Sequence, residues 1–396
     1  MQHPSPRLDG FSPDLVHRMV TTMSCHDSDD IPKVERAGEV YEHDGTAVQI
    51  MHNGLLVEAD GYGGTWMTEI IRVLNGHHEP QEELVFSRIV ARLHETGGAH
   101  AMIELGSFWS YYSLWFCAEF PDGRVVAIEP DPANLELGRR NTALNGFTDR
   151  ITFIQAAIGD EPGKTIRIRT ESDNEERDIV TADVASLMAD AALEHVDIVL
   201  CDVQGAETIM LARARGDFAA GRIRFLIVST HHHRISGDPL THQNALALLL
   251  ESGAHIIAEH SVGESASGDG LIAVSFDPRD NDFVVPVSHI RARDSLFGEL
   301  EFDLAEVQNS RANADEAARL EQAEAGRLRA EADVLRVQLA EAEALSVSLR
   351  AEATEQAEKR AELQREIDSI MHTKMWRLAR VPRKVYARVA HRTDSH

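Results

Sequence analysis

Between residues 101 and 276, short apolar runs alternate with stretches whose hydrophobic positions recur every three to four residues. The runs at 101–105, 124–129, 151–155, 196–202 and 224–230 predict five strands. Segments 110–119, 132–144 and 239–251 predict helices, the second opened by Asp131 as a cap and closed by Asn145-Gly146. Strands separated by helices must pair in parallel, because each crossover returns the chain to the same end of the sheet. Two further runs, 254–260 and 271–276, have only a Gly-Ser loop between them. They are expected to form an antiparallel hairpin at the sheet edge. The pattern predicts an α/β, doubly wound, seven-stranded sheet.

Upstream, Ala47–Ile50 and Leu55–Val57 predict a hairpin turning at Asn53-Gly54, a pair suited to a type I′ turn. Helices are expected at 66–74 and 82–93, with Pro80 in the first turn of the second. Residues 1–40 carry Pro4, Pro6, Pro13 and an acidic patch at Asp27, Asp29 and Asp30, and are expected to be poorly ordered. Domain boundaries follow: 41–98 as a cover over the site, 99–280 as the sheet domain, 281–303 as a linker.

From 304 to 371 the spacing changes to seven. Leu328, Leu335, Ala342, Leu349, Gln356, Leu363 and Ile370 form one row, and Ala332, Leu339, Ser346, Ala353, Arg360 and Ile367 the other. This is the seam of a long α-helical coiled coil, so a homo-oligomer is expected. At 1.5 Å per residue such a helix spans roughly 100 Å. Residues 372–396 invert the charge. Lys374, Arg377, Arg380, Arg383, Lys384 and Arg388 interleave with Met375, Trp376, Val385 and Tyr386. A basic amphipathic tail of this kind suits peripheral contact with an anionic membrane, and equally a solvated tail or one docked on the protein's own acidic surface.

Composition narrows the classes. The chain has 39 Lys and Arg against 65 Asp and Glu, a net charge of −26. So acidic a molecule is a poor nucleic-acid binder. Cys25, Cys117 and Cys201 are too few for a disulfide framework, and Cys117 and Cys201 sit in apolar runs. No secretory signal or membrane span is apparent, and a cytoplasmic location is expected.

In an open parallel sheet, ligands bind beyond the carboxyl ends of the strands. The first strand ends in Glu104-Leu105-Gly106-Ser107-Phe108-Trp109-Ser110, and the second in Glu129-Pro130-Asp131-Pro132. Gly106 allows a tight turn. Glu129 can accept two ribose hydroxyl hydrogens. A pyrophosphate would want more glycine than this loop has. S-adenosylmethionine carries no phosphate, and its cationic end tolerates Glu104. A nicotinamide-dependent oxidoreductase is the less favoured adenosine-type reading.

At these residues the chain resembles the FkbM-type family of S-adenosylmethionine-dependent methyltransferases. The resemblance rests on Ile103-Glu104-Leu105-Gly106 with Tyr111-Tyr112-Ser113, Glu129-Pro130-Asp131-Pro132 with Asn134, Arg140-Asn141, Leu144-Asn145-Gly146, Ala156-Ala157-Ile158-Gly159-Asp160, and Asp202-Val203-Gln204-Gly205-Ala206-Glu207. It implies a Rossmann-like methyltransferase sheet over about 79–275 and O-methylation of a sugar or related small metabolite, in surface polysaccharide or glycoconjugate synthesis. By position it places Glu104 and Gly106 near the methionine end, Glu129 on the ribose, Ala157 beside the adenine, Asp202 facing cofactor and substrate, and Glu79 near the cofactor. Ser107, Ser110, Pro130 and Gln204 complete the expected cofactor loops. Ser110 stands where the family has glycine, and Gln204 where an acid is common. These departures support the alternative of a catalytically degenerate scaffold that recruits partners through its coiled coil.

The fifth strand ends in Thr230-His231-His232-His233. If the strand continues, His231 and His233 point one way and His232 the other. His231 and His233 are then candidate bases for a hydroxyl, with Asp202 beside them. A divalent metal on the same residues is the weaker reading, and a set of hydrogen-bonded loop histidines is the plain structural one. His77 and His78 read as turn residues between Gly76 and Pro80.

Overall fold

The computed structural model describes residues 4–97, 100–290 and 298–373. Two compact units divide the chain, Met1–Asn313 and Ala314–His396.

The first unit opens with α1 (Pro13–Met23), capped by Ser12. β1 (Val40–His43), β2 (Thr46–Ile50) and β3 (Leu56–Glu58) follow as an antiparallel sheet. Next come α2 (Thr65–Val73) and α3 (Pro80–Thr96). The main sheet and its helices alternate as β4 (Ala101–Leu105), α4 (Tyr111–Glu119), β5 (Arg124–Ile128), α5 (Pro132–Leu144) and β6 (Ile151–Ile154). A side sheet comprises β7 (Ala157–Ile158), β8 (Thr165–Arg169) and β9 (Glu176–Ala182). The chain then returns through α6 (Val184–Asp190), β10 (Val196–Cys201), α7 (Glu207–Ala219), β11 (Ile223–Thr230), the single turn α8 (His233–Ser236), α9 (Thr241–Glu251), β12 (His255–His260) and β13 (Gly270–Ser275).

The seven-stranded sheet has the order β12-β13-β11-β10-β4-β5-β6. The five strands from β11 to β6 are parallel, and β13 pairs antiparallel with both β11 and β12. This is the doubly wound, Rossmann-like sheet that the alternation of runs implies. β13 sits inside the order rather than at its rim, so the last hairpin inserts its second strand beside β11. Strands β4, β10, β11 and β13 are buried at every position, which is why their sequences read as unbroken apolar runs rather than alternating ones. Two hydrophobic clusters flank the sheet. One contains Phe86, Met102, Tyr111, Phe116 and Phe225, and the other Ile103, Leu105, Met210, Val228 and Leu249.

Several expectations need correction. Residues 13–23 of the supposedly loose N-terminus are helical, with Met19 and Met23 buried. The β2–β3 connection spans Met51–Leu55, because Ile50 pairs with Leu56, and Asn53 does not take positive φ. It is therefore no two-residue type I′ turn. The side sheet, α6 and α7 were not foreseen.

The long helix α10 (Gly298–His372) carries the heptad rows. Among the described residues, no helix is long and apolar enough to cross a membrane. The basic tail from 374 onward lies outside the described residues.

Candidate functional site

Chain order reverses between β4 and β10, and this switch point is where a ligand crevice opens. Gly106 turns the chain out of β4 with φ +80°, and a Cβ there would lie 1.7 Å from the Asp202 carbonyl oxygen. No other residue fits, so the tips of β4 and β10 lie backbone to backbone. The N–H groups of Gly106 and Ser107 donate to the Ile128 carbonyl at 3.0 and 2.8 Å, which ties the loop to β5.

Beyond these tips lies a cavity of about 380 Å3. Six of the expected cofactor residues line it: Gly106, Glu129, Pro130, Ala157, Asp202 and Gln204. Phe108 is on its wall, but Trp109 is not. The Trp109 indole is stacked on Tyr62, with centroids 4.6 Å apart, and belongs to the buried cluster. The crevice is therefore open, not plugged. Asp131, Asn134 and, from β8 with its following turn, Ile166, Ile168, Arg169 and Thr170 also line it. Asp131 and Asn134 belong to the motif after β5, but no pattern in the sequence marked the β8 residues, because β8 alternates with exposed residues and belongs to a separate small sheet.

Glu129 is held by two backbone donors, Phe108 N–H at 3.1 Å and Asp131 N–H at 2.9 Å. Burial still pushes its carboxyl up to about 7. Of the remaining expected cofactor residues, Glu104, Ser107 and Ser110 are buried behind the cavity rather than lining it. Glu104 accepts from the Ser113 N–H at 3.2 Å and from the Ser113 hydroxyl, and burial raises it to about 8. Ser110 adopts φ 63° and ψ 32°, the left-handed conformation that suits glycine. Phe108 and Gln204 are also left-handed, at φ 41° and 48°. Three non-glycine residues thus keep a conformation costing about 1 kcal/mol or more each, all in the loops of one crevice.

At the other side of Asp202 sits a cluster of carboxylates around one imidazole. His231 is 5% exposed. Its Nε2 lies 3.1 Å from Asp202 Oδ1 and 3.9 Å from Asp269, and its Nδ1 donates to Glu207 Oε1 at 2.5 Å. Burial alone would lower its pKa, but the hydrogen bonds to Asp202 and Glu207 and the Asp269 charge raise it well above the ordinary value. Glu207 is fully buried, and its Oε1 also accepts the Gly205 N–H at 2.9 Å. From α3, Glu82 accepts from the Ser229 hydroxyl at 2.6 Å and is pushed up to about 7, chiefly by burial and then by Asp202. Glu79 is raised well above the usual carboxylate range by burial and by Glu82, Asp202 and Asp269. The expected Glu79 thus belongs with the acidic cluster and does not line the cavity.

A second buried carboxylate builds the platform for Glu79 and Glu82. Glu83 accepts the N–H groups of His78 at 2.7 Å and Glu79 at 3.1 Å, and contacts the His77 ring. His77 and His78 hold it well below its usual pKa despite burial, so these two histidines buttress the start of α3.

The other two histidines of the triplet do not join His231. β11 ends at Thr230 and α8 begins at His233, so strand alternation stops before it can separate them. His232 contacts Asp303, and His233 Nδ1 lies 3.7 Å from the same carboxylate. The candidate base His233, and with it a metal set of Asp202, His231 and His233, is not assembled. Among the described residues, donor atoms do come within 4.8 Å of one another in two other groups, His52 with His77 and Glu83, and His232 with His233 and Asp303.

Helix α1 closes over the acidic side. Thr22 donates to the Ala266 carbonyl at 3.0 Å, and Arg18 donates to the Ser267 carbonyl at 3.2 Å and lies over the Trp66 ring.

Residues 97–256 match the family described as the methyltransferase FkbM domain. The O-methyltransferase imqG of Aspergillus flavus is 32% identical over 84 residues, which is 21% of this chain and 33% of that protein. The chain thus spans about a third of the length of that curated relative. Among solved structures, a precorrin-6y C5,15-methyltransferase from Geobacter metallireducens is 15% identical, with 48% of this chain and 86% of that one covered and a TM-score of 0.31. An O-methyltransferase from Bacillus cereus in complex with SAH is 15% identical, with 48% and 80% covered and a TM-score of 0.31. Residues 97–256 of the chain are thus a methyltransferase FkbM domain.

Proposed function

We propose that this protein is an S-adenosylmethionine-dependent O-methyltransferase acting on a hydroxyl of a sugar or related small metabolite, in the making of a surface polysaccharide or glycoconjugate. The observation that carries the reading is the open cavity beyond Gly106. It has a ribose-holding carboxylate, Glu129, on one side and the Asp202–His231 pair on the other. The residues present fit a phosphate-free, cationic nucleoside. The β4–β10 contact leaves no space for a side chain at position 106, and Glu129, Asp131, Glu171 and Asp202 line the cavity, with Arg169 the one cationic residue among the described lining residues.

Bound there, the cofactor would supply an electrophilic methyl group. Glu129 would hold the ribose, and Ala157, Ile158, Ile166 and Ile168 would wall the adenine. Gln204 would serve the methionine end, with Glu104 behind it as a buried acid on Ser113. Transfer to a hydroxyl requires alignment of the two reactants and removal of one proton. Asp202 takes that proton, and His231 orients Asp202 through Nε2. Glu207 in turn fixes the His231 ring through Nδ1. This replaces a neutral His231 base, since the imidazole lies among three carboxylates.

The coiled-coil rows of α10 are assigned to self-association. The basic tail is assigned to peripheral contact with the inner face of the cytoplasmic membrane. A reducing compartment suits Cys25, Cys117 and Cys201, which are all unpaired and buried.

Isothermal calorimetry with S-adenosylhomocysteine tests the cofactor assignment. The native protein should bind it, and Glu129→Ala should weaken binding by roughly 10- to 100-fold through loss of a charge-assisted hydrogen-bond pair. Absence of binding by the folded native protein would remove the methyltransferase reading. A screen of sugar acceptors with labelled cofactor then tests the acceptor class.

A further inference from the structure

Helix α10 leaves an apolar stripe uncovered along the second unit. Leu328, Leu335, Leu349, Leu363 and Ile370 recur every seven or fourteen residues, each more than half exposed. Leu339 and Ile367 lie on the adjoining row and are equally open. In water this stripe costs free energy that a helix packed against it would recover. The flanks of the stripe decide which helix that is.

Taking Leu328 as a d position makes Leu339 an a position. The g flank then reads Glu324, Glu331, Gln338, Leu345, Glu352, Lys359 and Glu366, and is acidic. The e flank reads Arg329, Arg336, Glu343, Arg350, Ala357 and Gln364, and is basic. In a parallel pair each g residue faces the e residue five places later on its partner. Glu324 then meets the partner's Arg329, and Glu331 meets the partner's Arg336. No g–e pairing in this register places like charges together. An antiparallel pair over residues 324–370 puts g against g and e against e: Glu331 then meets Lys359 and Glu343 meets Arg350, but Glu324 falls on Glu366, and Arg329 and Arg336 lose their acidic partners. Arg336 also meets Asp333 on its own helix at 2.9 Å, but both side chains are over 70% exposed and such a pair holds little.

The seam also limits the number of strands. Arg360 stands at an a position and Gln356 at a d position, with Ala332, Ser346 and Ala353 beside them. Two strands leave the ends of such side chains in water, whereas three or four would bury a charge without a partner.

We propose that the partner of α10 is a second copy of this chain, and that the two helices form a parallel, in-register, two-stranded coiled coil through residues 324–370. The inference rests on the self-association proposed above and is independent of methyl transfer. Both chains then enter the rod at the same end.

The full-length protein tests it by light scattering after gel filtration, together with two cysteine variants, Leu328→Cys and Leu363→Cys. The native cysteines are buried, which keeps background cross-linking low. The native mass should be that of two copies, and each variant alone should form a disulfide-linked dimer on mild oxidation. A single-copy mass would overturn self-association, and a mass of three or four copies would overturn the two-stranded form. Cross-links that appear only when the two variants are mixed would overturn the parallel polarity. Charge reversal adds a second reading: Glu331→Arg should raise the dimer dissociation constant about five- to tenfold, and adding Arg336→Glu should restore it. A tighter dimer in the single variant would count against the parallel register. Calorimetry with S-adenosylhomocysteine on the same samples reads the cofactor site separately, so failure of one proposal is not failure of the other.

Discussion

Ser110 and Gln204 depart from the family pattern, yet both keep left-handed backbones in the loops around the cavity. The departures change side chains without closing the crevice, which weighs against a degenerate scaffold. Glu207 was quoted in the sequence only as part of a motif, because its contact with His231 spans 24 positions and depends on the β10–β11 pairing. Glu207→Ala should lower kcat by roughly 100-fold and leave the cofactor Kd within about threefold, since Glu207 positions a ring and does not line the cavity. Glu207→Gln keeps an acceptor for Nδ1–H and should lose only about tenfold. Equal kcat in all three proteins would sink the positioning role. Glu104 gives a pH test. Its folded pKa, about 8, lies above the ordinary carboxylate value of 4.5, so the folded state binds an extra proton between these limits. Stability contributed by this group therefore falls as pH rises from about 5 to 8. Glu104→Gln should flatten that part of the melting profile and raise Tm at pH 9 by on the order of 5 °C, with little change at pH 5. A parallel loss of stability in both proteins across that range would contradict the assignment.

At the scale of elements, the main sheet was legible because its central strands are buried on both faces and announce themselves as apolar runs. The side sheet was not. In β8 the pattern Thr-Ile-Arg-Ile-Arg presents two half-buried isoleucines between exposed neighbours, and its hydrogen bonds go to β9 rather than to the main sheet. The triple histidine failed for a related reason. A two-residue periodicity holds only inside a strand, and β11 ends one residue before His231. The role of β8 can be measured. Ile166 and Ile168 line the cavity but are only partly buried, so replacing both with serine removes cofactor contact at small cost to the core. Ile166→Ser with Ile168→Ser should weaken S-adenosylhomocysteine binding about tenfold, or roughly 1.4 kcal/mol, and move Tm by about 3 °C or less. Unchanged affinity would detach this hairpin from the adenine wall.

For the whole molecule, the sequence separates three textures, and the separation has an energetic basis. Nearly all the buried apolar side chains belong to the first unit, while α10 beyond Asn313 exposes its leucines and carries isolated surface ion pairs. The first unit should therefore not need the rod for its own stability. Two truncations of the native chain follow from this. A protein ending at residue 371 should keep its dimer and its cofactor affinity and lose only membrane association, read by sedimentation with vesicles containing anionic lipid. A protein ending at Asn313 should keep its cofactor affinity and a Tm within about 3 °C of the native value measured at low protein concentration, and should become monomeric. The two outcomes separate the three proposed roles along one chain: nucleoside binding by the sheet unit, joining of two copies by the rod, and surface contact by the tail. If the shorter protein fails to fold, the rod is part of the structural core, and the exposed stripe on α10 must then be covered within the native chain itself. If it folds but remains dimeric, the copies meet through the sheet unit, and the heptad rows serve another partner.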